Sequence, residues 1–169
     1  MLIKWILTGI ILLCLVLPYF NTSYHSGSLQ TISSWGWRGT LILVTVFLIA
    51  VAIYCRTLER CWSLVAPERR KAAPGSVWFM FLVPFNFVED FFIIINLSHS
   101  LEEEARFNER LSGKKDFGLT TGMGWCIAQI LSFLPHPAGS IAGAIGLILW
   151  LIHWRLIYNI LKFLKHIDK

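Results

Sequence analysis

The stretch VPFNFVEDFF, residues 83–92, places a proline, an asparagine and two adjacent carboxylates inside an otherwise apolar segment that runs from Val77 to Leu97. Pro84 removes a backbone donor and clashes with the preceding turn, so we expect a break between residues 77–83 and the helix that follows. Neither piece alone is long enough to cross a bilayer, which takes about 20 apolar residues in a helix. The stretch therefore predicts an element that enters a membrane without crossing it.

The composition of the whole chain is typical of a membrane protein. Of its 169 residues, 56% are hydrophobic and 15% are charged, whereas soluble proteins carry about 25% charged residues. Four further apolar blocks predict spanning helices at about residues 2–20, 39–55, 119–134 and 139–161. Lys4 before the first block, with no small-x-small cleavage site after it, predicts a retained signal anchor. No linker or repeat separates the blocks, so residues 1–169 are expected to form a single all-α domain.

The basic residues predict how these elements are oriented. Lys and Arg are retained on the cytoplasmic side of membrane proteins. If the segment containing Pro84 returns to the side from which it enters, fourteen of the fifteen basic residues are cytoplasmic and Arg38 alone is external. If that segment spans instead, the bias is reversed. The charges therefore predict four spanning helices, with both termini in the cytoplasm, and the net charge of +5 is explained without nucleic-acid binding.

The residues after Pro84 have the periodicity of an amphipathic helix. Polar residues recur at steps of three or four, or multiples of them, at Asn86, Glu89, Asp90, Asn96, His99, Glu103 and Arg110. We expect the element at about residues 77–111 to be re-entrant or to lie in the membrane plane, with Glu89 and Asp90 on its wet face. In the alternative, the two carboxylates are buried together and form a proton- or cation-binding site with Asn86 and Asn96 as neutral partners.

Glycine spacing and aromatic residues predict how the last two blocks pack. The breaker cluster at residues 135–139 predicts an antiparallel hairpin of helices. Small residues four apart allow close helix contact, either within this hairpin or between subunits, and the candidates are Gly118, Gly122, Gly139, Gly143 and Gly146. Trp150, Trp154 and Tyr158 precede the terminal lysines and predict an aromatic belt at the membrane interface, with His153 as an interfacial polar residue.

The remaining reactive or charged residues predict no catalytic or metal site. Cys14, Cys55, Cys61 and Cys126 lack metal-ligand spacing and are interpreted as small buried apolar residues. No nucleophile motif or phosphate-binding loop occurs, so we expect neither enzymatic activity nor a cofactor. Basic residues near the cytoplasmic surface are candidates for lipid headgroup contacts, namely Arg69, Arg70, Lys71, Lys162 and Lys165.

Residues 74–161 contain a series of short motifs. They are a Pro-Gly-x-Val-Trp start, a Pro-x-Phe-Asn-like centre, a Ser-rich exit, a glycine-opened helix, a proline turn and a final Trp-x-x-x-Trp-Lys/Arg pattern, and together they resemble the pattern of a family of small uncharacterised bacterial multi-pass inner-membrane proteins. The corresponding residues are Pro74, Gly75, Val77 and Trp78; Pro84, Phe85 and Asn86; Ser98, Ser100 and Leu101; Gly118 and Gly122; Pro135; and Trp150, Trp154 and Arg155. The resemblance implies the bacterial inner membrane and no particular activity. Glu89 and Asp90 depart from it, because an aromatic residue and an amide are usual there.

Three functions follow as hypotheses from these patterns. The first is a non-enzymatic accessory or assembly subunit of a membrane complex, or a self-associating membrane module, because packing glycines and aromatic anchors are plentiful. The second is an oligomeric channel or a small-solute or ion transporter that uses the helix broken at Pro84. The third is a membrane enzyme that acts on lipid. The partners expected in each case are membrane lipids and a protein partner or further copies of the chain.

Overall fold

The computed structural model describes residues 2–16, 36–114, 116–134 and 137–165. These residues are helical and contain no strand, which confirms the all-α prediction. The α-helices are α1 (Leu2–Val16), α2 (Gly36–Ser63), α3 (Asn86–Ala105), α4 (Glu109–Ser112), α5 (Leu119–Leu131) and α6 (Pro137–Lys165). Two 3-10 helices, Pro67–Arg69 and Pro74–Phe81, lie between α2 and α3.

Two helices among the described residues, α2 and α6, are long and apolar enough to cross a membrane, with 28 and 29 residues. The prediction of four spanning helices is therefore not supported. Helix α5 has 13 residues and α1 has 15 within the described part of the chain, whereas about 17 residues is the usual lower limit for a span. Residues 17–20 of the first predicted span lie outside the described residues.

Helices α2 and α6 run in the same direction. Their side-chain contacts show this, because the residue numbers of the partners rise together: Phe47 with Trp150, Tyr54 with His153, and Thr57 with Trp154. The last turn of α2 carries Arg60, and the last turn of α6 carries Lys162 and Lys165. Both helices thus end at the same end of the molecule, which we call the charged end; the opposite end is the apolar end.

The segment around Pro84 folds as a hairpin of two limbs. The first limb is the 3-10 helix Pro74–Phe81, which runs antiparallel to α2, because Lys71 lies beside Trp62 and the Val77 carbonyl accepts a hydrogen bond from the Cys55 thiol. The chain reverses at residues 82–85, which include a cis peptide bond between Val83 and Pro84. Helix α3 then returns to the charged end. The predicted break at Pro84 is thus confirmed, and the hairpin as a whole begins and ends at the charged end of the molecule.

The base of this hairpin is fixed by side-chain hydrogen bonds. The Ser100 hydroxyl accepts hydrogen bonds from the indole N–H of Trp62 and from the backbone N–H of Lys71. Four residues further along α3, the Glu104 carboxylate accepts from the Arg69 guanidinium at 2.9 Å and from the backbone N–H of Ala66 at 3.1 Å. These contacts join α2, the residues that lead into the first limb, and α3 at the charged end.

Helices α5 and α6 form the predicted antiparallel hairpin, which their contacts confirm. Gly122 lies against His153, Ala128 against Gly146, and Ser132 against Gly143. Partner numbers therefore rise on one helix as they fall on the other. The connecting residues 135–136 lie outside the described residues.

Burial differs sharply between the two halves of the molecule. In α2, Tyr54, Leu58 and Trp62 are completely buried, whereas Ile42 is 65% exposed and most apolar residues before position 54 are also exposed. Exposed large apolar side chains are also numerous on α1 and on α6 before position 153. Trp150, predicted to lie at a membrane interface, is instead a core residue packed against Tyr54, because it lies on the side of α6 that faces α2.

Candidate functional site

Asn86, Glu89 and Asp90 occupy the first turns of α3 and are buried, with 8%, 5% and 3% of their surfaces exposed. The prediction that Glu89 and Asp90 form a wet face is therefore wrong. Helix α3 packs against α1, α2 and α5, so its polar stripe points into the protein rather than toward headgroups. The alternative arrangement, with the carboxylates buried together, is the one that the structure has.

The two carboxylates have different surroundings. Glu89 accepts a hydrogen bond from the ammonium group of Lys4 at 2.7 Å, and Lys4 also lies 4.5 Å above the centre of the Phe92 ring. Trp5, the next residue of α1, packs against Phe85 with ring centroids 5.3 Å apart. Lys4 of α1 thus supplies the counter-charge of Glu89. It does not supply one for Asp90.

Asp90 and Asn86 each present a buried oxygen without a partner. Among the described residues, Oδ1 of Asp90 and Oδ1 of Asn86 have no hydrogen-bond partner. Burial, and then the nearby carboxylate of Glu89, raise the pKa of Asp90 well above its ordinary value. An unpaired buried polar group costs about 1–3 kcal/mol, so this arrangement is unfavourable unless the site serves another purpose.

Both oxygens belong to residues that line a partly open cavity of about 570 Å³. Most of its walls are apolar or aromatic, and its other polar side chains are Tyr54, Gln129 and Ser132. A few polar groups on apolar walls, in a volume of about 300–1,000 Å³, are typical of pockets for small organic ligands. The hairpin, α2, α5 and α6 all contribute residues, so the cavity lies where the hairpin tip meets the long helices.

A second buried polar contact lies beside this cavity. The Tyr54 hydroxyl and Nδ1 of His153 are 2.9 Å apart, and His153 is 1% exposed. The expectation that His153 is interfacial is therefore wrong. A Cβ atom at Gly118 would lie 2.8 Å from Nε2 of His153, and one at Gly122 would lie 3.1 Å from the same atom. These two predicted packing glycines thus leave room for the imidazole ring.

Tyr54 is a buried polar residue beside the cavity that the sequence patterns did not predict. The sequence feature that could have pointed to it is a tyrosine in the last turn of an apolar block, because a buried tyrosine hydroxyl needs a hydrogen-bond partner. His153 is the matching polar residue in the last block, and the two glycines beside it mark the space that a large ring requires. Spacing alone does not show that these features meet, because they lie on three separate helices.

The other predicted ligand and lipid residues lie elsewhere. Asn96 is half-buried outside the cavity, and its backbone carbonyl accepts from the Ser100 hydroxyl at 2.6 Å. The guanidinium of Arg69 is paired with Glu104, and that of Arg70 donates to backbone carbonyls of residues 63 and 65. Three predicted headgroup residues are exposed at the charged end, namely Lys71, Lys162 and Lys165.

The remaining predicted packing glycines lie in the α5–α6 hairpin. Gly139 approaches the backbone carbonyl of Leu134, and Gly146 approaches Ala128, where an added Cβ would lie 3.3 Å from the alanine Cβ. Gly143 and Gly146 also line the cavity. The contacts of these glycines are therefore within the chain in this structure.

The cysteines are free and buried at Cys55, Cys61 and Cys126, as predicted, and the side chain of Cys14 lies outside the described residues. The part of the chain that the structure describes contains no group of three His, Cys, Asp or Glu residues placed to hold a metal ion. Comparison with protein-family models, curated proteins and solved structures finds no match to this chain. The cavity with Asp90 and Asn86 is the candidate site that the geometry defines.

Proposed function

We propose that the protein is a small membrane-embedded transporter or channel in which the hairpin around Pro84 forms the binding cavity. The observation that carries this proposal is the unpaired Oδ1 of Asp90, buried beside Asn86 at a cavity of about 570 Å³. Ionisable groups in apolar surroundings are costly, and those retained usually bind or conduct a substrate. Hairpins with interrupted helices build such sites in membrane proteins, where their irregular backbone lines a cavity.

A bacterial inner membrane, with both termini in the cytoplasm, is the proposed location. The exposed apolar halves of α2 and α6 support a membrane environment, since both helices have the required length. The basic residues at the charged end support its placement in the cytoplasm. In this arrangement the hairpin enters from the cytoplasmic side, and its exposed tip residues, Leu82 and Val83, contact lipid.

Cysteine accessibility tests the proposal. Gln129 lines the cavity, so Gln129→Cys, in a protein whose four native cysteines are replaced by alanine, reports whether solution reaches the site. In proteoliposomes, we expect impermeant methanethiosulfonate reagents to modify position 129 from each side of the membrane, because a transport cavity opens to both. Phe163→Cys, exposed at the charged end, is the control. Modification of the control with no modification of position 129 from either side would contradict the proposal.

A second candidate function is a subunit of a larger membrane assembly or of a homo-oligomer. It is supported by the first half of α2, where Leu41, Ile42 and Val46 are more than half exposed. Ile42→Cys tests it, because a self-associating module would form an intermolecular disulfide at this position in native membranes. A protein that stays uncrosslinked and purifies without a partner would contradict this candidate.

A further inference from the structure

We infer that the cavity binds a lipophilic organic cation, with the Asp90 carboxylate as its counter-ion. This inference rests on the proposed function, because it names the class of substrate that the cavity would take. Four observations lead to it: the charge at the cavity, its size, the chemistry of its walls and the position of its rim.

The charge at the cavity is negative whenever Asp90 is ionised. Among the described residues, those that line the cavity include Asp90 and no lysine, arginine or histidine. Lys4 of α1 lies close to this part of α3, but its ammonium group is already paired with Glu89 at 2.7 Å. A carboxylate without a counter-charge is costly to bury in an apolar site, and a bound cation lowers that cost. A bound anion would be repelled by the carboxylate, so the site favours cations over anions.

The size of the cavity favours an organic cation over a metal ion. Ca²⁺ takes about 6–8 oxygen ligands at about 2.3–2.6 Å, and usually several carboxylates. The residues of the described segments that line the cavity supply one carboxylate, with side-chain oxygens of Asn86, Gln129 and Ser132 spread over about 570 Å³. This volume suits a molecule with several rings or a branched alkyl body.

The walls match the apolar body of such a cation. Several aromatic side chains line the cavity, among them Phe47, Phe87, Trp125, Phe133 and Trp150. Aromatic faces attract cations, by about 2 kcal/mol or more where water is excluded. Asp90 and Asn86, both more than nine-tenths buried, supply the polar contacts that orient the charged group.

The rim indicates how the ligand arrives. Phe47, Val83 and Leu147 line the cavity and are each more than half exposed. These residues belong to the exposed apolar surface, so the cavity communicates with the region that the proposed function places in lipid. A ligand that partitions into the bilayer reaches Asp90 from there, which explains why the cation should be lipophilic rather than strongly hydrated.

The test compares two probes of the same shape and opposite charge. Tetraphenylphosphonium is a lipophilic cation and tetraphenylborate is its anionic counterpart, and equilibrium dialysis with the full chain in lipid nanodiscs measures the binding of each above that of empty nanodiscs. We expect the cation to bind at least about tenfold more tightly than the anion, because a buried carboxylate discriminates by charge. Equal binding of the two probes, or tighter binding of the anion, would overturn the inference.

Matched variants locate the binding. Asp90→Asn keeps the shape of the side chain and removes its charge, so we expect cation affinity to fall by about tenfold or more. Glu89→Gln, one residue away, removes a carboxylate that does not line the cavity, and cation affinity should change by less than about threefold. Unchanged cation binding in Asp90→Asn would overturn the inference.

A second pair of variants keeps Asp90 in place in case Asp90→Asn fails to fold. Gln129→Lys places a tethered cation in the cavity and should abolish binding of the phosphonium probe, whereas Gln129→Glu should preserve or strengthen it. Equal binding by both variants would count against the inference. If position 129 is accessible in the cysteine assay but neither probe binds, the substrate class is wrong and the proposed function stands. If position 129 is also inaccessible, both fail.

Discussion

The hydroxyl of Tyr54 and Nδ1 of His153 lie 2.9 Å apart where α2 meets α6. The hydroxyl donates when the ring proton is on Nε2 and accepts in the other tautomer. Trp150 and Trp154 pack against the same tyrosine ring, with centroids 5.5 and 5.9 Å away. This contact joins the two helices that have the length to cross a membrane, so it positions the walls of the cavity relative to each other.

Tyr54→Phe should destabilise the protein by about 1–2 kcal/mol, because Nδ1 of His153 is left buried without its partner. The free energy of unfolding in mixed detergent micelles measures this effect. A double-mutant cycle with His153→Leu should give a coupling energy of about 1 kcal/mol, in the range found for hydrogen bonds between membrane helices. Additive effects of the two substitutions would show that the contact contributes nothing to stability.

Gly118→Ala should destabilise the protein by about 2 kcal/mol or more, for two separate reasons. The φ angle of Gly118 is +86°, which is strained for alanine, and the added Cβ would lie 2.8 Å from Nε2 of His153. Gly113→Ala is the matched control, because nothing lies within 4 Å of its Cβ position. The thermal unfolding temperatures of the Gly118→Ala and Gly113→Ala variants measure the difference. Similar temperatures would refute the close packing of Gly118 against His153.

Single-cysteine labelling tests the proposed orientation. Gly113→Cys lies in the loop after α4, and Trp37→Cys lies at the apolar end of α2, where Trp37 is 72% exposed. We expect an impermeant maleimide to label position 37 from outside intact cells and to label position 113 only after the inner membrane is opened. Labelling of position 113 from outside would refute a hairpin that returns to the cytoplasmic side.

Asp90→Asn should be more stable than the unsubstituted protein by a margin that grows as the pH rises. The pKa of Asp90 in the folded state lies well above the ordinary value of 3.8. Its contribution to stability is therefore complete below the unfolded pKa and is lost as the pH rises toward the folded pKa, by up to about 1.4 kcal/mol per pH unit. Asparagine does not titrate, so the unfolding temperatures of the two proteins should be similar near pH 4 and diverge above it. Parallel pH profiles would contradict this assignment.

Lys4→Met should destabilise the protein by about 3 kcal/mol, because it leaves the Glu89 carboxylate, 7% exposed, without its counter-charge. Adding Glu89→Gln should restore most of the loss, since a neutral amide is cheaper to bury than an unpaired carboxylate. Unfolding of the two single variants and the double variant measures the coupling. A double variant as unstable as the sum of the single variants would show that the ion pair does not hold α1 on α3.

The break at Pro84 could be predicted because proline acts locally, through its own ring and missing N–H. The α5–α6 hairpin could be predicted for a similar reason, since its turn residues are adjacent in sequence. The burial of Asp90 could not be predicted from the sequence. An amphipathic stripe shows that one side of a helix is polar, but whether that side meets water or a polar cavity depends on the helices that pack against it.

The pairing of Tyr54 with His153 illustrates the same limit. Each residue suits a membrane interface by its chemistry, and their positions are 99 residues apart. Only the shared direction of α2 and α6, together with the space left by Gly118 and Gly122, brings the two rings together. The length of α5 could not be predicted from the sequence either, because the apolar run at residues 119–134 continues past the end of this helix at Leu131.

Because α2 and α6 run in the same direction, the chain between them must return to the side of the bilayer on which α2 begins if both helices cross it. The residues between them must then cross the bilayer an odd number of times. The hairpin around Pro84 contributes no crossing, because it returns to the side from which it enters. Among the described helices between them, α5 alone runs the opposite way along α6. It has 13 residues and is therefore about 20 Å long at 1.5 Å per residue, against a hydrocarbon thickness of about 30 Å. Lipid should consequently be compressed on the side of the molecule that α5 occupies, and thin bilayers should suit this protein better than thick ones.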